Sequence, residues 1–371
     1  MSAQPCLVIT SIAEPTPALQ ALAAACRERD FDFILIGDEA SPARFELEGC
    51  AFYGLERQRE LQFGFEPLCP IRHYARKNIG YLLAMQRGAP IIIETDDDTV
   101  AYDRFWEPRE RVQAVGKIAD QGWVNVYRYF SSANIWPRGL PLDRVHTPVP
   151  AHGSLPFEEV VCPIQQGLVD DDPDVDAVYR MLLELPIRFD PGPSVALTSG
   201  SWCPFNSQNT AWWPEAFPLM YLPAYCSFRM TDIWRSFVAQ RLATVNGWGV
   251  LFHEPTVSQN RNVHDLMRDF RDEVRGYLEN RAICAALEHL DLPPGAEHVG
   301  GNMRLAYERL IEGGWIDERE LVLLEAWLTD VENASPARRG LVSCDHGERS
   351  RVTAPSQASP HLEHPPPVRP G

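Results

Sequence analysis

One short segment, residues 89–98, constrains the fold of this chain more than any other. Its β-branched run over 91–93 is continuous rather than alternating, which is typical of a strand buried on both faces. The segment ends in Asp96, Asp97 and Asp98, whose carboxylates repel one another and lose solvation unless a cation or hydrogen-bond donors meet them. Ligands of open α/β sheets bind at the carboxyl ends of the strands. The segment predicts a Mg²⁺ or Mn²⁺ site with oxygen ligands, and a solvated Asp-rich turn is the equal alternative.

The N-terminal segment follows a strand–helix–strand order. Apolar runs predict strands over 6–10 and 31–37, and helical spacing of apolar residues predicts a helix over 18–29. Such a βαβ unit predicts a parallel sheet with a right-handed crossover, and therefore an α/β fold. No G-x-G-x-x-G follows the first strand, so a classical dinucleotide fold is not expected.

A basic cluster precedes the carboxylate-bearing strand. A helix is predicted over 70–88, with Arg72, His73, Arg76 and Lys77 in its first half. The helix macrodipole disfavours cations there, and Arg72 and Arg76 form a like-charge pair four residues apart. In a chain with a net charge of −17, an anion such as a diphosphate accounts for this cluster. A solvated basic stripe is the alternative, and we favour the anion because the helix leads directly into the carboxylate-bearing strand.

Two other polar segments have structural interpretations. A second triplet, Asp170, Asp171 and Asp172, precedes a predicted helix over 175–185, where carboxylates are expected without any metal. The amides and hydroxyls of residues 206–210 lie among aromatic residues. Such a combination suits a sugar, because its C–H faces stack on aromatic rings while its hydroxyls form hydrogen bonds. For any single aromatic residue, however, an ordinary position in the core is favoured.

The apolar pattern of the rest of the chain predicts further helices and strands, which indicate little about function. They are a helix over 106–121, irregular surface chain over 131–160, a strand over 194–198, a helix from 230 to 242 and a strand over 249–252. Residues 1–265 are expected to form the main domain, 266–335 a helical appendage and 336–371 a disordered tail rich in Pro, Ser and His.

Composition excludes several classes of function. A net charge of −17 repels polyanions, so no nucleic-acid partner and no binding to anionic membranes are expected. The nine cysteines form no C-x-x-C pair, which favours reduced thiols and a cytoplasmic location. No basic N-terminal region precedes an apolar run, and no run is long enough to span a bilayer, so no membrane insertion is expected.

Several motifs, in a fixed order, resemble the STELLO-like glycosyltransferase family. They are VITSI at 8–12, IGD at 36–38, YARKNIGYL at 74–82, TDDD at 95–98, NSQNT at 206–210 and DIWRS at 232–236. The likeness covers roughly residues 5–265. The chain also resembles, more weakly, the plant UDP-arabinopyranose mutases (reversibly glycosylated polypeptides), which share a strand ending in D-D-D and a D-x-W helix.

The resemblance implies a GT-A fold, with a Rossmann-like sheet that is mixed, mostly parallel and flanked by helices. It also implies a nucleotide-sugar donor, most simply a UDP-sugar, a glycosyl acceptor of unknown identity, and Mn²⁺ or Mg²⁺ at a D-x-D motif. In this chain that motif is Asp96 and Asp98: Asp96 would contact ribose or sugar hydroxyls, and Asp98 would ligate the metal. Asp97 could replace either.

The resemblance also implies roles for residues outside that motif. The residues expected to line the base, ribose and phosphates are Thr10, Ser11, Asp38, Arg76, Lys77 and Asn78. Asp232 is the expected acceptor-side carboxylate and candidate general base. His253 or His264 could complete the metal shell, although a structural role is favoured for each.

The expected activity is hexosyl or pentosyl transfer from the nucleotide sugar. One alternative on the same fold is a nucleotide-sugar mutase or self-glycosylating protein. Another is a non-catalytic GT-A scaffold that binds partners, against which the complete set of carboxylates argues.

Overall fold

The computed structural model describes residues 4–261 and 265–334. Over these residues the chain is an α/β protein, in which an 11-stranded mixed sheet is flanked by helices. The predicted α/β fold is confirmed. The architecture is consistent with the GT-A fold that the family resemblance implies.

Strands predominate as far as residue 259, and helices follow from residue 266. The strands are β1 (Cys6–Thr10), β2 (Asp32–Ile36), β3 (Ala51–Tyr53), β4 (Ile92–Thr95), β5 (Thr99–Ala101), β6 (Val112–Ile118), β7 (Gly122–Trp123), β8 (Phe157–Val161), β9 (Ile164–Asp171), β10 (Val195–Leu197), β11 (Ser201–Trp202), β12 (Asn209–Trp212) and β13 (Val250–Gln259). The α-helices are α1 (Pro17–Glu28), α2 (Leu55–Arg59), α3 (Lys77–Gln86), α4 (Ala177–Leu182), α5 (Thr231–Val245), α6 (Leu266–Glu288), α7 (Val299–Glu312) and α8 (Glu320–Ala334).

The main sheet has the strand order β3-β2-β1-β4-β12-β9-β13-β10-β6-β8, with β5 paired to β13. Strands β7 and β11 form a separate pair. The predicted N-terminal βαβ unit is confirmed, because β1 pairs in parallel with both β2 and β4. Helix α1 connects β1 to β2, and it begins where the Thr16 hydroxyl accepts a hydrogen bond from the Leu19 N–H at 3.1 Å.

Strand β12 brings distant parts of the chain to one edge of the sheet. It runs antiparallel to both of its neighbours, β4 and β9, with Asn209 opposite Thr95 and Thr210 opposite Gln166. Strand β13 in turn runs parallel to β9. The start of β12 therefore lies beside the carboxyl end of β4, and the segment before it runs toward the carboxyl ends of β9 and β13. Ligands of α/β sheets bind at such an edge.

The predicted helix over 106–121 is wrong. The segment contains the end of a 3₁₀ turn, Asp103–Trp106, and strand β6, which pairs with β8 and β10. Val115 and Ile118 are three residues apart, as on a helix face, yet the sheet buries both. The strands that pair with β6 lie far along the chain, so local spacing could not show the contacts that decide its conformation.

The predicted helix over 70–88 is shorter than expected. A 3₁₀ turn over residues 74–76 leads into α3. His73 has an extended backbone, and its Nδ1 accepts a hydrogen bond from the Ala75 N–H at 3.0 Å. Arg72 precedes this cap with a φ of 56°. Arg72 and His73 thus lie outside the helix, so the macrodipole penalty expected for cations in its first half does not apply to them.

Two other segments also differ from expectation. The chain over 131–160 is not surface chain throughout, because Ile135 and Leu140 are buried and the segment ends in β8. Strand β13 continues well beyond the predicted 249–252. Its pairing with β9 shifts register between His253 and Val257. That irregularity accommodates Pro255, which has no N–H to give to a ladder.

Helices α6, α7 and α8 confirm that the segment after residue 265 is helical. Buried carboxylates of α8 join it to the rest of the molecule. Glu320 accepts a hydrogen bond from the Tyr225 N–H at 2.6 Å, and Asp330 accepts one from the Phe65 N–H at 2.8 Å. The division of the chain at residue 265 stays a prediction, and the predicted tail over 336–371 lies outside the described residues.

None of the helices within 4–261 and 265–334 combines the length and the apolar character needed to cross a membrane.

Candidate functional site

A cavity of about 960 Å³ opens at the edge of the sheet where β12 begins. Its walls come from the segments that follow β1, β2, β4, β9 and β13, from the segment before β12, and from the first turn of α5. Such a volume is typical of a small-molecule site. A second cavity, beside Trp202 and Gln240, has about 30 Å³ and is too small for a ligand of nucleotide-sugar size.

Most of the predicted site residues meet in this cavity. Those that line it are Thr10, Ser11, Asp38, Arg76, Asp96, Asp97, Asp98 and Asp232. Lys77 and Asn78 are fully buried and are not part of its lining. His253 is also absent from the lining, and burial lowers its pKa to about 4. His264 lies outside the part of the chain that the structure describes.

The N-terminal strands hold Asp97 and Asp38 in place. Ser11, directly after β1, donates its hydroxyl proton to Oδ2 of Asp97, and the Thr16 hydroxyl donates to the Asp97 carbonyl at 3.2 Å. Asp38, after β2, accepts a hydrogen bond from the His73 N–H at 2.9 Å. Asp97 is therefore bound to the β1 loop, whereas its two neighbours in the triplet have different partners.

Asp96 faces the buried ammonium group of Lys77. The Lys77 Nζ lies 3.7 Å from Oδ1 of Asp96, and the Tyr74 hydroxyl lies 3.4 Å from the same oxygen. Burial raises the pKa of Asp96 to about 7, Lys77 opposes that rise, and the charges of Asp98 and Asp97 add to it. A cation placed beside these carboxylates would favour their ionised forms.

Asp98 has an amide partner. Its Oδ1 accepts a hydrogen bond from Nε2 of Gln259 at 2.6 Å. Burial raises the pKa of Asp98 above its ordinary value, and the hydrogen bond from Gln259 opposes the rise.

The carboxylates fit a cation that is shared with a ligand. Within the described residues, no three or more His, Cys, Asp or Glu side chains are arranged to hold a metal by themselves. Mg²⁺ is commonly bound by one or two carboxylates, with substrate phosphates and water completing its octahedral shell. Carboxylate oxygens also suit Mn²⁺. Ser11 binds one oxygen of Asp97 and Gln259 binds one oxygen of Asp98, so neither hydrogen bond removes a carboxylate from those that could hold a cation. Asp96 and Asp98 are the two with D-x-D spacing.

Arg76 lines the cavity, but its guanidinium is already engaged. Both Nε and Nη2 donate to Oε1 of Gln58, and Nη2 also donates to Oε1 of Glu66 at 2.7 Å. Nη1 donates to the Cys69 carbonyl at 3.0 Å. Because only 2% of the residue is exposed and four of its five N–H donors are engaged, Arg76 anchors the loop in front of α3.

Lys77 and Asn78 fix the cavity wall from behind. The Lys77 Nζ donates to the Thr95 carbonyl at 2.8 Å and to the Tyr74 hydroxyl at 2.9 Å. The Asn78 amide exchanges two hydrogen bonds, each of 2.9 Å, with the backbone of Leu222.

The opposite wall contains a buried ion cluster. The Arg138 Nη2 lies 2.8 Å from Oδ2 of Asp174 and 2.9 Å from Oδ2 of Asp232. Burial by itself would raise the pKa of Asp174, but the charge and hydrogen bonds of Arg138 hold it at about 2. Ser207 reaches Oδ2 of Asp232 at 3.3 Å and the Tyr74 hydroxyl at 2.6 Å. The Ser207 and Tyr74 hydroxyls thus lie between the two carboxylate walls of the cavity.

Comparison with known proteins adds family information to this geometry. The model of the family described as STELLO glycosyltransferases matches residues 229–348, which include Asp232 but not the Asp96–Asp98 triplet. The probable glycosyltransferase STELLO2 of Arabidopsis thaliana is 32% identical over 277 residues, covering 68% of this chain and 35% of the relative. The chain belongs to the STELLO-like family.

A second STELLO relative aligns with nearly the whole chain. The probable glycosyltransferase STELLO1 of Arabidopsis thaliana is 28% identical over 395 aligned positions, covering 96% of this chain and 49% of the relative. The chain therefore spans between about a third and a half of the length of these curated relatives.

The sequence of this STELLO-like chain does not predict several of the residues that line the cavity. They are Arg138, Asp174, Gln208 and Gln259. Arg138 lies in the stretch over 131–160 that the sequence predicts to be surface chain. Asp174 directly precedes the predicted helix over 175–185, where a capping role is expected, although Asp176 is the residue that caps α4. Gln208 belongs to the NSQNT motif, which was the one signal that could have indicated it. The sequence around Gln259 has no feature that marks it as a site residue, because its role depends on the register of β13.

The aromatic residues near the NSQNT motif are mostly core residues, as was favoured for each ring. Trp212 is fully buried, and its indole donates to Oε1 of Glu94 at 2.9 Å. The aromatic side chain in the cavity lining with a large exposed fraction is Phe228, at 52%. This residue was not among those predicted from the sequence.

Proposed function

We propose that this chain is a metal-dependent glycosyltransferase that binds a nucleotide-sugar donor, most simply a UDP-sugar, in the cavity at Asp96 and Asp98. The observation that carries the proposal is the meeting of this D-x-D pair with the carboxyl ends of β1 and β2 in one cavity of suitable size. Membership of the STELLO-like family supports glycosyl transfer as the reaction.

The residues after β1 and β2 are the proposed base and ribose contacts. Thr10, Ser11 and Asp38 all line the cavity. The diphosphate belongs next to Asp98 and Asp96, where its charge requires a counterion. A bound Mg²⁺ or Mn²⁺ would supply Lewis-acid stabilisation of the departing nucleoside diphosphate.

Asp232 is the proposed acceptor-side carboxylate. Both of its oxygens accept hydrogen bonds from the Arg138 Nη2, at 3.0 and 2.9 Å. A carboxylate offers about four lone-pair sites, and Ser207 contacts Oδ2 alone, so the capacity left for an acceptor hydroxyl lies on Oδ1. Tyr74 and Ser207 lie between Asp232 and Asp96, where they can orient the sugar between donor and acceptor.

The first test is calorimetric titration of UDP with and without Mn²⁺. We expect the wild-type chain to bind UDP more tightly when Mn²⁺ is present, and we expect Asp98→Ala to lose that gain. Asp103→Ala, which removes a fully exposed carboxylate outside the cavity, is the matched control and should behave as wild type. Binding that ignores both Mn²⁺ and Asp98→Ala would refute the proposal.

A panel of nucleotide sugars then separates transfer from the alternatives. Release of nucleoside diphosphate, with a sugar gained by an added acceptor, indicates a transferase. Isomerised donor indicates a mutase, and an increase in the intact mass of the chain indicates self-glycosylation. Under the transferase proposal, Asp232→Asn keeps metal-dependent UDP binding and slows transfer by about 10²–10⁴-fold, if Asp232 is the general base.

A further inference from the structure

Two buried glutamines connect the proposed metal ligand to the core of the sheet. Gln259, the last residue of β13, donates from Nε2 to Oδ1 of Asp98 at 2.6 Å. Its backbone position is fixed by pairing opposite Thr99 on β5 and Asp171 on β9. Only 5% of Gln259 is exposed, so its side chain has little freedom to move away from Asp98.

The orientation of the Gln259 amide follows from its partners. An ionised carboxylate can only accept hydrogen bonds, so the NH₂ group of Gln259 must face Asp98. Its Oε1 then points to the second glutamine, Gln208, and accepts a hydrogen bond from Nε2 of that residue. Gln208 also donates from Nε2 to the Asp172 carbonyl at 3.2 Å. Both amide orientations are thus fixed by a backbone carbonyl at one end and a carboxylate at the other.

We propose that Gln259, oriented by Gln208, is the positioning residue that sets the Asp98 carboxylate for cation binding. The inference rests on the proposed function. The hydrogen bond from Gln259 occupies Oδ1 and restrains rotation of the carboxylate, which leaves Oδ2 for the cation shared with the diphosphate. Partners of this kind behind a metal ligand typically contribute about 10–100-fold to metal affinity.

The role differs from that of a residue that only stabilises the fold. A purely structural glutamine would change the melting temperature and would leave the affinity for Mn²⁺ in the folded protein unaltered. A residue that contacts the nucleotide would change UDP affinity with and without metal. A positioning residue for Asp98 changes Mn²⁺ affinity and leaves metal-independent UDP affinity as it is.

The test uses Gln259→Met, which keeps the side-chain length and removes the donor. Free Mn²⁺ is measured by electron paramagnetic resonance in the presence of saturating UDP, and UDP affinity without metal is measured by calorimetry. We expect the Mn²⁺ dissociation constant to rise by about 10–100-fold and metal-independent UDP affinity to stay unchanged. Gln208→Met removes only the hydrogen bond from Gln208 to Oε1 of Gln259, so it should weaken Mn²⁺ binding by a smaller factor. This variant keeps the test valid if Gln259→Met does not fold.

The matched control is Gln121→Met, since Gln121 is exposed, lies outside the cavity, and its side-chain amide donates to the Ala119 carbonyl at 3.0 Å. If wild type shows Mn²⁺-dependent UDP binding and the Gln259 and Gln208 variants match it, the positioning role is wrong and the proposed function stands. If wild type shows no Mn²⁺ dependence, the proposed function fails first. A change in metal-free UDP affinity would also overturn the positioning role, because it would make Gln259 a nucleotide contact.

Discussion

At the scale of single residues, one buried ion pair fixes the distance between the two walls of the cavity. Glu94 on β4 is fully buried, and its Oε1 lies 2.9 Å from Nη2 of Arg235 on α5. Glu94 precedes Asp96 by two residues, and Arg235 follows Asp232 by three. The pair therefore connects the strand that carries the proposed donor-side carboxylate to the helix that carries the acceptor-side one.

Removing one member of this pair should be costly. Arg235→Leu leaves Glu94 buried without its counter-charge, and we expect the free energy of unfolding to fall by about 3–5 kcal/mol. Urea unfolding measures the change. Glu94→Leu/Arg235→Leu removes both charges of the pair and leaves neither unpaired, so the double variant should be more stable than the single one.

The matched control for this prediction is an exposed pair. Arg319 lies 2.8 Å from Asp317 at the surface, where solvent screens the pair, so Arg319→Leu should lower the free energy of unfolding far less than Arg235→Leu. Equal effects of Arg235→Leu and Arg319→Leu would contradict the prediction.

At the scale of elements, the close approach of α3 to the sheet depends on Gly80. A Cβ at this position would lie 2.5 Å from Cγ1 of Val8 on β1 and 3.0 Å from Cγ1 of Ile36 on β2. Real Cβ atoms essentially never come as close as 2.5 Å, so one of the elements would have to move. Since α3 follows the loop that carries Tyr74, its distance from the sheet also sets the position of the cavity wall.

Gly80→Ala is therefore expected to destabilise the protein, although alanine is the better helix former. Helix propensity favours alanine by about 1 kcal/mol, and overpacking costs about 1–3 kcal/mol. In α7, Gly301 has no atom within 4 Å of an added Cβ, and Gly301→Ala should stabilise by up to about 1 kcal/mol. Thermal unfolding of the two variants should give shifts of opposite sign. A higher melting temperature for Gly80→Ala would show that α3 can move without cost.

At the scale of the whole molecule, the sequence was most informative where the chain pairs with its near neighbours. The βαβ unit and β4 have continuous apolar runs and short connections, so both their type and their place were predictable. The Asp96–Asp98 triplet was placed at a cavity for the same reason. Strand β6 and residue Gln259 were missed because their surroundings are supplied by segments far away along the chain. Arg138 was missed because a Pro- and Gly-rich sequence does not indicate a buried ion pair.

The contacts of α8 predict how truncation affects the molecule. Trp327 is fully buried, and its indole donates to the Pro218 carbonyl at 2.9 Å. Its ring also packs edge-on to Phe65, with 6.2 Å between the ring centroids. A chain ending at residue 265 loses this cover over the main domain, so we expect it to be insoluble or to lack a cooperative unfolding transition.

A chain ending at residue 334 is the control, because it keeps these contacts of α8. We would compare both truncations by expression yield, circular dichroism and thermal unfolding, which show whether each one folds. If the chain ending at 265 unfolds cooperatively and binds UDP as wild type does, the main domain folds without α6–α8 and the prediction is wrong.

The antiparallel strand β12 also makes the chain sensitive to changes in length. Side chains alternate between the two faces of a strand, so a shift of one residue turns each of them to the opposite face. The register of β12, with Asn209 opposite Thr95, places Ser207 and Gln208 in the cavity lining. Substitutions in the segment before β12 change individual contacts, whereas an insertion or deletion displaces the whole set. During divergence, this segment should therefore keep its number of residues.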